Sequence, residues 1–397
     1  MRSQPFCQYH ASFVRWSSGL RASCASTRAL VGLLVVTDLV EAGSAALGRP
    51  LSDPERLASS ERSVVLRCRS SAGSVVVKSY PADGEGTASF AAEAAGLEFT
   101  SGTGLAPDLL AAEPDERLIV MADLGGDSPS LADLLLGRSP GPARYGLLSW
   151  ARACGELAVR TAGRQPELTA LAGKYGASLT AGVREWLPRR IGEIPDLLTS
   201  LSFAVPDQLG NDLAEVTELL VTGRFEVFSP GDICPDNNLI TAGGVRFIDF
   251  ENAGFHSVFL DAAYLRMPFS TCWCVFALPG DLAAEAEGGY RELVSTVHVE
   301  LADDEIWSRG LRLATTAWTL HAMTYLLDRG VEADASLNPD ASLAPTKRQL
   351  LRYRWRTLAD ELDRAGELPA IRVLVGQLLA ETGLWLAPEL PPYPAFR

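Results

Sequence analysis

FSPGDICPDNNLITAGGVRFIDFENAG, running from Phe228 to Gly254, sets Asp232, Asp236 and Asp249 with Asn237, Asn238 and Asn252 among short apolar runs. The stretch reads as a polar loop, then a strand (NLIT), a Gly243-Gly244 turn and a second strand (VRFID). Asp232 and Asp249 stand at the near ends of that hairpin. An ionised carboxylate in the middle of a domain is costly unless a metal, a cation or dense hydrogen bonding compensates it. The segment is therefore either a solvated surface hairpin or the surround of something doubly positive.

Working outward, 397 residues with 47% hydrophobic and 21% charged side chains describe ordinary globular composition. That length is too great for one small core and implies two lobes. The formal net charge of −14 argues against nucleic acid and anionic membrane as partners and suits a cationic small molecule or peptide. Seven cysteines are scattered along the chain, and TCWC (Thr271–Cys274) has no second pair at zinc-ligand spacing. They read as buried reduced thiols of a cytoplasmic protein. No apolar run reaches the length of a membrane span. RALVGLLVV (Arg28–Val36) resembles the core of a signal peptide, but Asp38 and Glu41 follow at once. Residues 1–27 read as a loose tail and Val31–Leu47 as a short amphipathic helix.

RSVVLRC (Arg62–Cys68) and SVVVKSY (Ser74–Tyr80), joined by RSSAG, form a hairpin signature. A helix follows over Thr87–Gly102, and strands return around the Pro114-Asp115-Glu116 turn. After Gly125 the pattern is mostly helical, interrupted only by the 228–254 segment. The expected divisions are a tail and short helix over 1–47, a β-rich unit over 48–125 and a helical unit over 126–397.

In this order the chain resembles the aminoglycoside phosphotransferases, the small-molecule branch of the protein-kinase-like fold. That family carries His-Gly-Asp, four variable residues and Asn, then Ile-Asp-Phe on the next hairpin. Here the matching residues are PGDICPDN and FIDFE, with VVVKSY and MADLGG upstream, and the match runs from about Leu51 to Arg266. The resemblance implies an α+β, two-lobed fold: a small β-rich N-lobe with one inserted helix and a larger, mostly helical C-lobe. It implies ATP and Mg²⁺ as cofactors and a hydroxyl acceptor, with Lys78 gripping the nucleotide phosphates and Glu93 as its ion-pair partner, in preference to Glu98 on the same helix. Backbone at Met121–Asp123 would meet adenine. The phosphate-covering turn falls at ASSERS (Ala58–Ser63), where Ser60 and Ser63 stand in a turn without glycine.

Phosphoryl transfer needs positioning, metal ions and charge stabilisation more than covalent chemistry. Asp232 is the candidate base for an attacking hydroxyl. Asn237, five residues on, offers a neutral oxygen to Mg²⁺, and Asp249 returns beside it across the hairpin as the anionic ligand.

Pro230 stands where the family has histidine, which leaves a nucleotide-binding scaffold as one alternative; a kinase for Ser or Thr hydroxyls on a peptide is another. Asp261 reads as a helix cap or loop brace, Asp236 as a solvated neighbour, and His321 as a core residue between Trp318 and Tyr325. His256 and His298 have no partner evident in sequence. The basic run KRQLLRYRWR (Lys347–Arg356) reads as a solvated helix face. The acids between Asp281 and Glu305 form either a solvated helix pair or the wall of a site for a cationic, aminoglycoside-like acceptor.

Overall fold

In the computed structural model of the chain, residues 25–59, 62–126, 128–176, 182–384 and 387–397 are described. Of the tail expected over 1–27, residues 1–24 lie outside them, and residues 25–27 belong instead to the first helix, which starts at Ala25 and not at Val31. Helix α1 (Ala25–Leu47) precedes a five-stranded antiparallel sheet of β1 (Ser52–Ser59), β2 (Val64–Ser70), β3 (Gly73–Ser79), β4 (Leu109–Glu113) and β5 (Leu118–Ala122), in the order β1-β2-β3-β5-β4. Helix α2 (Gly84–Phe99) is inserted between β3 and β4.

The β2–β3 hairpin forms in the register its valines set, with Leu66 opposite Val77 and Val65 opposite Lys78. Alternation then sorts the two faces. Val75 and Val77 join Leu66, Cys68, Leu118 and Val120 in a core covered by α1. Lys78 and Val76 face the other way, toward α2 and the helical part. Strand β1 was not legible in sequence: Asp53 and Pro54 disfavour it, and it survives as an edge strand. Its register is broken between Ser52 and Glu55, where Asp53 adopts a φ of 49°.

The larger part is helical. It comprises α3 (Leu131–Leu136), α4 (Pro140–Thr161), α5 (Gln165–Lys174), α6 (Val183–Gly192), α7 (Ile194–Ser200) and α8 (Leu209–Val221), followed by a β-rich insertion. That insertion holds β6 (Glu226–Ser229), β7 (Asn238–Thr241), β8 (Gly244–Phe247) and β9 (Gly254–Ser257), pairing as β6–β9 and β7–β8. Helices α9 (Val258–Arg266), α10 (Gly280–Val294), α11 (Asp304–Glu332), α12 (Lys347–Ala365) and α13 (Pro369–Glu381) complete it. None of the described helices is long and apolar enough to cross a membrane.

One continuous core joins the two parts. Phe90, Leu97 and Ile119 from the sheet side pack with Trp150, Phe228 and Phe250 from the helical side. Gly96 of α2 makes that approach possible, since a Cβ there would already touch Phe250 and Ala253 at 3.0 Å. Helix α2 is thus pressed against the segment that follows Asp249. This is the α+β, two-part architecture expected from the sequence.

Candidate active site

Lys78 comes off β3 on the face opposite the Val75–Val77 core, and α2 carries Glu93 up to it. Lys78 Nζ donates to Glu93 Oε2 at 2.5 Å and to Asp249 Oδ1 at 2.7 Å. The Tyr80 hydroxyl also donates to Glu93 Oε2. Lys78 and Glu93 are buried, at 6% and 1% exposure, so neither charge could stand alone. Burial by itself would lower the lysine, but Asp249 and Glu93 outweigh it and hold the ammonium well above its ordinary value. Between the two acids, burial raises Glu93, whereas Lys78 holds Asp249 below the usual carboxylate range against its own burial. Glu98 instead meets Lys174 Nζ at 2.7 Å on the outer side of α2.

The 228–254 segment folds as the hairpin its Gly-Gly turn specifies, with Asn238 opposite Phe247. Ile248 N donates to Asn237 O at 3.0 Å, and this closes the hairpin base and sets Asp249 beside Asn237. Asn237 Nδ2 donates to Asp232 O at 3.2 Å, leaving its amide oxygen as the acceptor. Asp249 itself holds a φ of 69°, a conformation a non-glycine residue adopts at a cost. Glu251, two residues on, was not singled out in sequence. It is paired with Arg62 Nη1 at 2.7 Å, and burial and Asp249 push its carboxyl up to about 7.

Asp232 lies half-buried on the loop after β6. Its Oδ1 accepts from Cys234 N and from Thr271 Oγ1, both at 3.3 Å. Burial, with Asp249 nearby, raises its carboxyl above the ordinary value. Gly231 before it has a φ of 87°, and a Cβ there would stand 2.1 Å from Asn252 O. Only glycine fits.

The loop around Pro230 is braced by neighbouring residues. Ser229 Oγ donates to Asp261 Oδ1 at 3.2 Å and accepts from Gly231 N at 3.2 Å, while His256 Nε2 meets the same Asp261 oxygen at 2.8 Å. Asp261 is therefore a loop brace, the second of its two sequence readings. His256 does have a partner, Asp261, five residues on in the first turn of α9, a pair that no regular helix or strand spacing announces. His298 likewise meets Glu226 O at 3.0 Å.

Met121, the last residue but one of β5, pairs with Val76 on Lys78's strand, and the Asp123 carboxylate accepts from Arg67 Nε at 2.8 Å and from Gly125 N at 3.1 Å. Its side chain is thus spent on the fold. Ser63 lies just before β2; Ser60 is outside the described residues.

Several expectations need correction. Asp236 is not solvated: it is buried, receives Trp273 Nε1 at 3.1 Å, and is pushed up to about 7 by burial and Asp232. Arg354 in the basic run is 1% exposed and donates to Ser270 O at 2.8 Å, so that helix face is not uniformly wet. The acids of 281–305 do not surround Asp232. Glu285 pairs with Arg144, Glu287 with Arg266, and Asp304 with Arg291, while Asp303 caps α11.

The cavity that does open at Asp232 is lined by Gly231, Asn252, Thr271, Val183 and Trp186 of α6, and Trp318 and His321 of α11. His321 packs against Trp186 with ring centres 4.9 Å apart and against Tyr325 at 5.1 Å. The sequence reading of a core histidine holds for its burial, yet its Nδ1 finds no hydrogen-bond partner among the described residues. Burial, with Arg190 and Arg354 nearby, lowers its pKa to about 3. A folded-state pKa below the unfolded value makes stability that is present above about pH 6.5 and lost as pH falls toward 3. His321→Leu should therefore remove part of the acid sensitivity. Urea unfolding from pH 7 to pH 4.5 is expected to show the variant losing less stability than wild type, by up to about 1.4 kcal/mol per pH unit. Parallel stability curves would contradict a neutral, buried imidazole.

No family model matches the chain, and no curated protein matches it. Among solved structures, a putative aminoglycoside phosphotransferase from Ralstonia eutropha JMP134 is 16% identical, with 87% of this chain and 98% of that one covered and a TM-score of 0.49. A choline kinase from Cryptosporidium parvum Iowa II is 13% identical, covering 88% and 100% of the two chains with a TM-score of 0.48. A choline/ethanolamine kinase family protein from Mesorhizobium loti is 16% identical, covering 85% and 99% with a TM-score of 0.45. At such identities and TM-scores the functional reading comes from the residues themselves.

Proposed function

We propose that this chain is an ATP-dependent phosphotransferase that moves the γ-phosphoryl group to a hydroxyl of a small molecule. One observation carries the reading: Lys78, Glu93, Asp232, Asn237 and Asp249, which come from four separate elements, converge on one side of the sheet. A scaffold has no need of all five, and this convergence favours a catalyst.

The donor set fits Mg²⁺, since an anionic Asp249 oxygen and a neutral Asn237 oxygen are hard ligands beside a phosphate-gripping lysine. Bound there with ATP, the ion would supply charge neutralisation of the transferring phosphates. The chain's own residues do the rest. Lys78, held in place by Glu93, presents its ammonium to phosphate oxygens. Asp232 orients the acceptor hydroxyl and takes its proton. The Ser229–Asp261–His256 brace keeps that loop in register.

For the acceptor, the aromatic walls of Trp186, Trp318 and His321 support a molecule with a flat apolar face and a hydroxyl directed at Asp232. Burial and the charges of Arg190 and Arg354 keep His321 neutral, and this favours an uncharged group beside it over a strongly cationic one. A panel of hydroxylated compounds, aromatic, macrocyclic and polycationic, tests this by ADP release above the water background. The expected result is stimulation by uncharged members bearing an apolar face. Stimulation by polycations alone would overturn this acceptor reading.

A further inference from the structure

Two short segments with the same spacing meet beneath the loop that carries Asp232: Cys234-Pro235-Asp236 and Cys272-Trp273-Cys274. Cys234 Sγ, Cys272 Sγ and an Asp236 carboxylate oxygen all lie within 4.8 Å of one another, and all three residues are buried. Cys274 Sγ is 2.8 Å from Cys272 Sγ, which brings a fourth donor within reach of a side-chain rotation. In a tetrahedral zinc site, with Zn–S bonds of about 2.3 Å, neighbouring donors stand about 3.8 Å apart. The Cys272–Asp236 separation, 3.8 Å, matches that distance, and the Cys272–Cys274 separation, 2.8 Å, is shorter.

The carboxylate is already aimed. Trp273 Nε1 holds Oδ2 at 3.1 Å, while Oδ1 is turned toward Cys272 Sγ at 3.8 Å. Hydrogen bonds of this kind from outside the ligand set fix the orientation of metal ligands. Thr271 Oγ1, 3.1 Å from Cys234 Sγ, is also bonded to Asp232. A second observation is independent of the thiols. Arg354 is buried, donates to Ser270 O two residues before Cys272, and has no ion pair among the described residues. A buried guanidinium without counter-charge is costly. A zinc ion with three thiolates and a carboxylate is net negative and would supply that charge.

We propose that Cys234, Cys272, Cys274 and Asp236 form a structural zinc site, distinct from the magnesium site at Asn237 and Asp249, that fastens the Asp232 loop to the 271–274 segment. Thiolate donors select zinc over magnesium. Binding releases the thiol protons to solvent and leaves both the metal and the sulfurs in their original oxidation states.

The full chain, purified under reducing conditions from zinc-supplemented cells and passed over chelating resin without nucleotide, is expected to hold about one zinc per chain by elemental analysis. Replacing the metal with cobalt should give the charge-transfer absorption of thiolate-bound tetrahedral cobalt, a readout that needs no variant. Cys234→Ser with Cys272→Ser should lower the zinc content about tenfold. Cys68→Ser, and separately Cys7→Ser with Cys24→Ser, should leave it unchanged. Zinc below about a tenth of an equivalent, or cobalt spectra lacking thiolate bands, would overturn the proposal. So would zinc lost with Cys7 and Cys24, or a Cys272–Cys274 disulfide found by mass spectrometry in metal-free protein.

Discussion

Asp232→Asn is expected to bind ATP as the wild type does and to turn it over roughly 10²–10⁴-fold more slowly. The change keeps the side chain's shape and its acceptor for Thr271 and Cys234 N, both 3.3 Å away, so the loop has no reason to move. What it removes is the carboxylate proposed to take a proton from the attacking group. The assay is ATP hydrolysis, with water in place of the acceptor hydroxyl. Because burial raises the Asp232 carboxyl, wild-type activity should decline on acidification from above the ordinary carboxylate range, and the variant should lack that limb. Turnover within a few-fold of wild type would remove Asp232 from the role.

Asp249→Ala has the other large effect, and it acts at a different step. Asp249 is the anionic oxygen donor beside Asn237 and one of the two carboxylates on Lys78. Without it the proposed magnesium site would lose its one charged protein ligand, and Lys78 keeps only Glu93. Transfer should be abolished within detection. The Mg²⁺-dependent part of nucleotide affinity should go with it, whereas Asp232→Asn leaves that part intact. The pair of variants thus separates binding from chemistry.

How much of this was legible in sequence depends on how far apart the contributing residues lie along the chain. The hairpin that returns Asp249 to Asn237 is local, so its turn and its alternating strands could be read directly. Lys78 could be read from alternation with its valines, and the choice of Glu93 over Glu98 came with the resemblance. By contrast, the cavity at Asp232 joins α6 with α11, two helices more than a hundred residues apart, and no periodicity announces that meeting. A separation of 189 residues likewise hid the Arg62–Glu251 pair, and the approach of Cys234 to Cys272 crosses the whole hairpin and α9. His256 could not be assigned because its partner, Asp261, sits five residues on across the junction of β9 and α9, where neither strand nor helix periodicity applies. Asp236 was misread for a related reason: a carboxylate in a polar loop reads as wet, and only Trp273, brought in from another segment, makes its burial tolerable. Of the acidic run at 281–305, Glu285, Glu287 and Asp304 pair with arginines and Asp303 caps α11, contacts that a run of like charges in sequence does not reveal.

The central claim is that Lys78, Asn237 and Asp249 form a magnesium–nucleotide site, and calorimetric titration of ATP tests it most directly. Wild type and Asp249→Ala would each be titrated in Mg²⁺ and again in EDTA. The account expects single-site binding to wild type that weakens at least about tenfold, or 1.4 kcal/mol, when the metal is removed. It expects no such difference in the variant. Equal affinities with and without Mg²⁺ in wild type, or a full magnesium effect retained by Asp249→Ala, would contradict it.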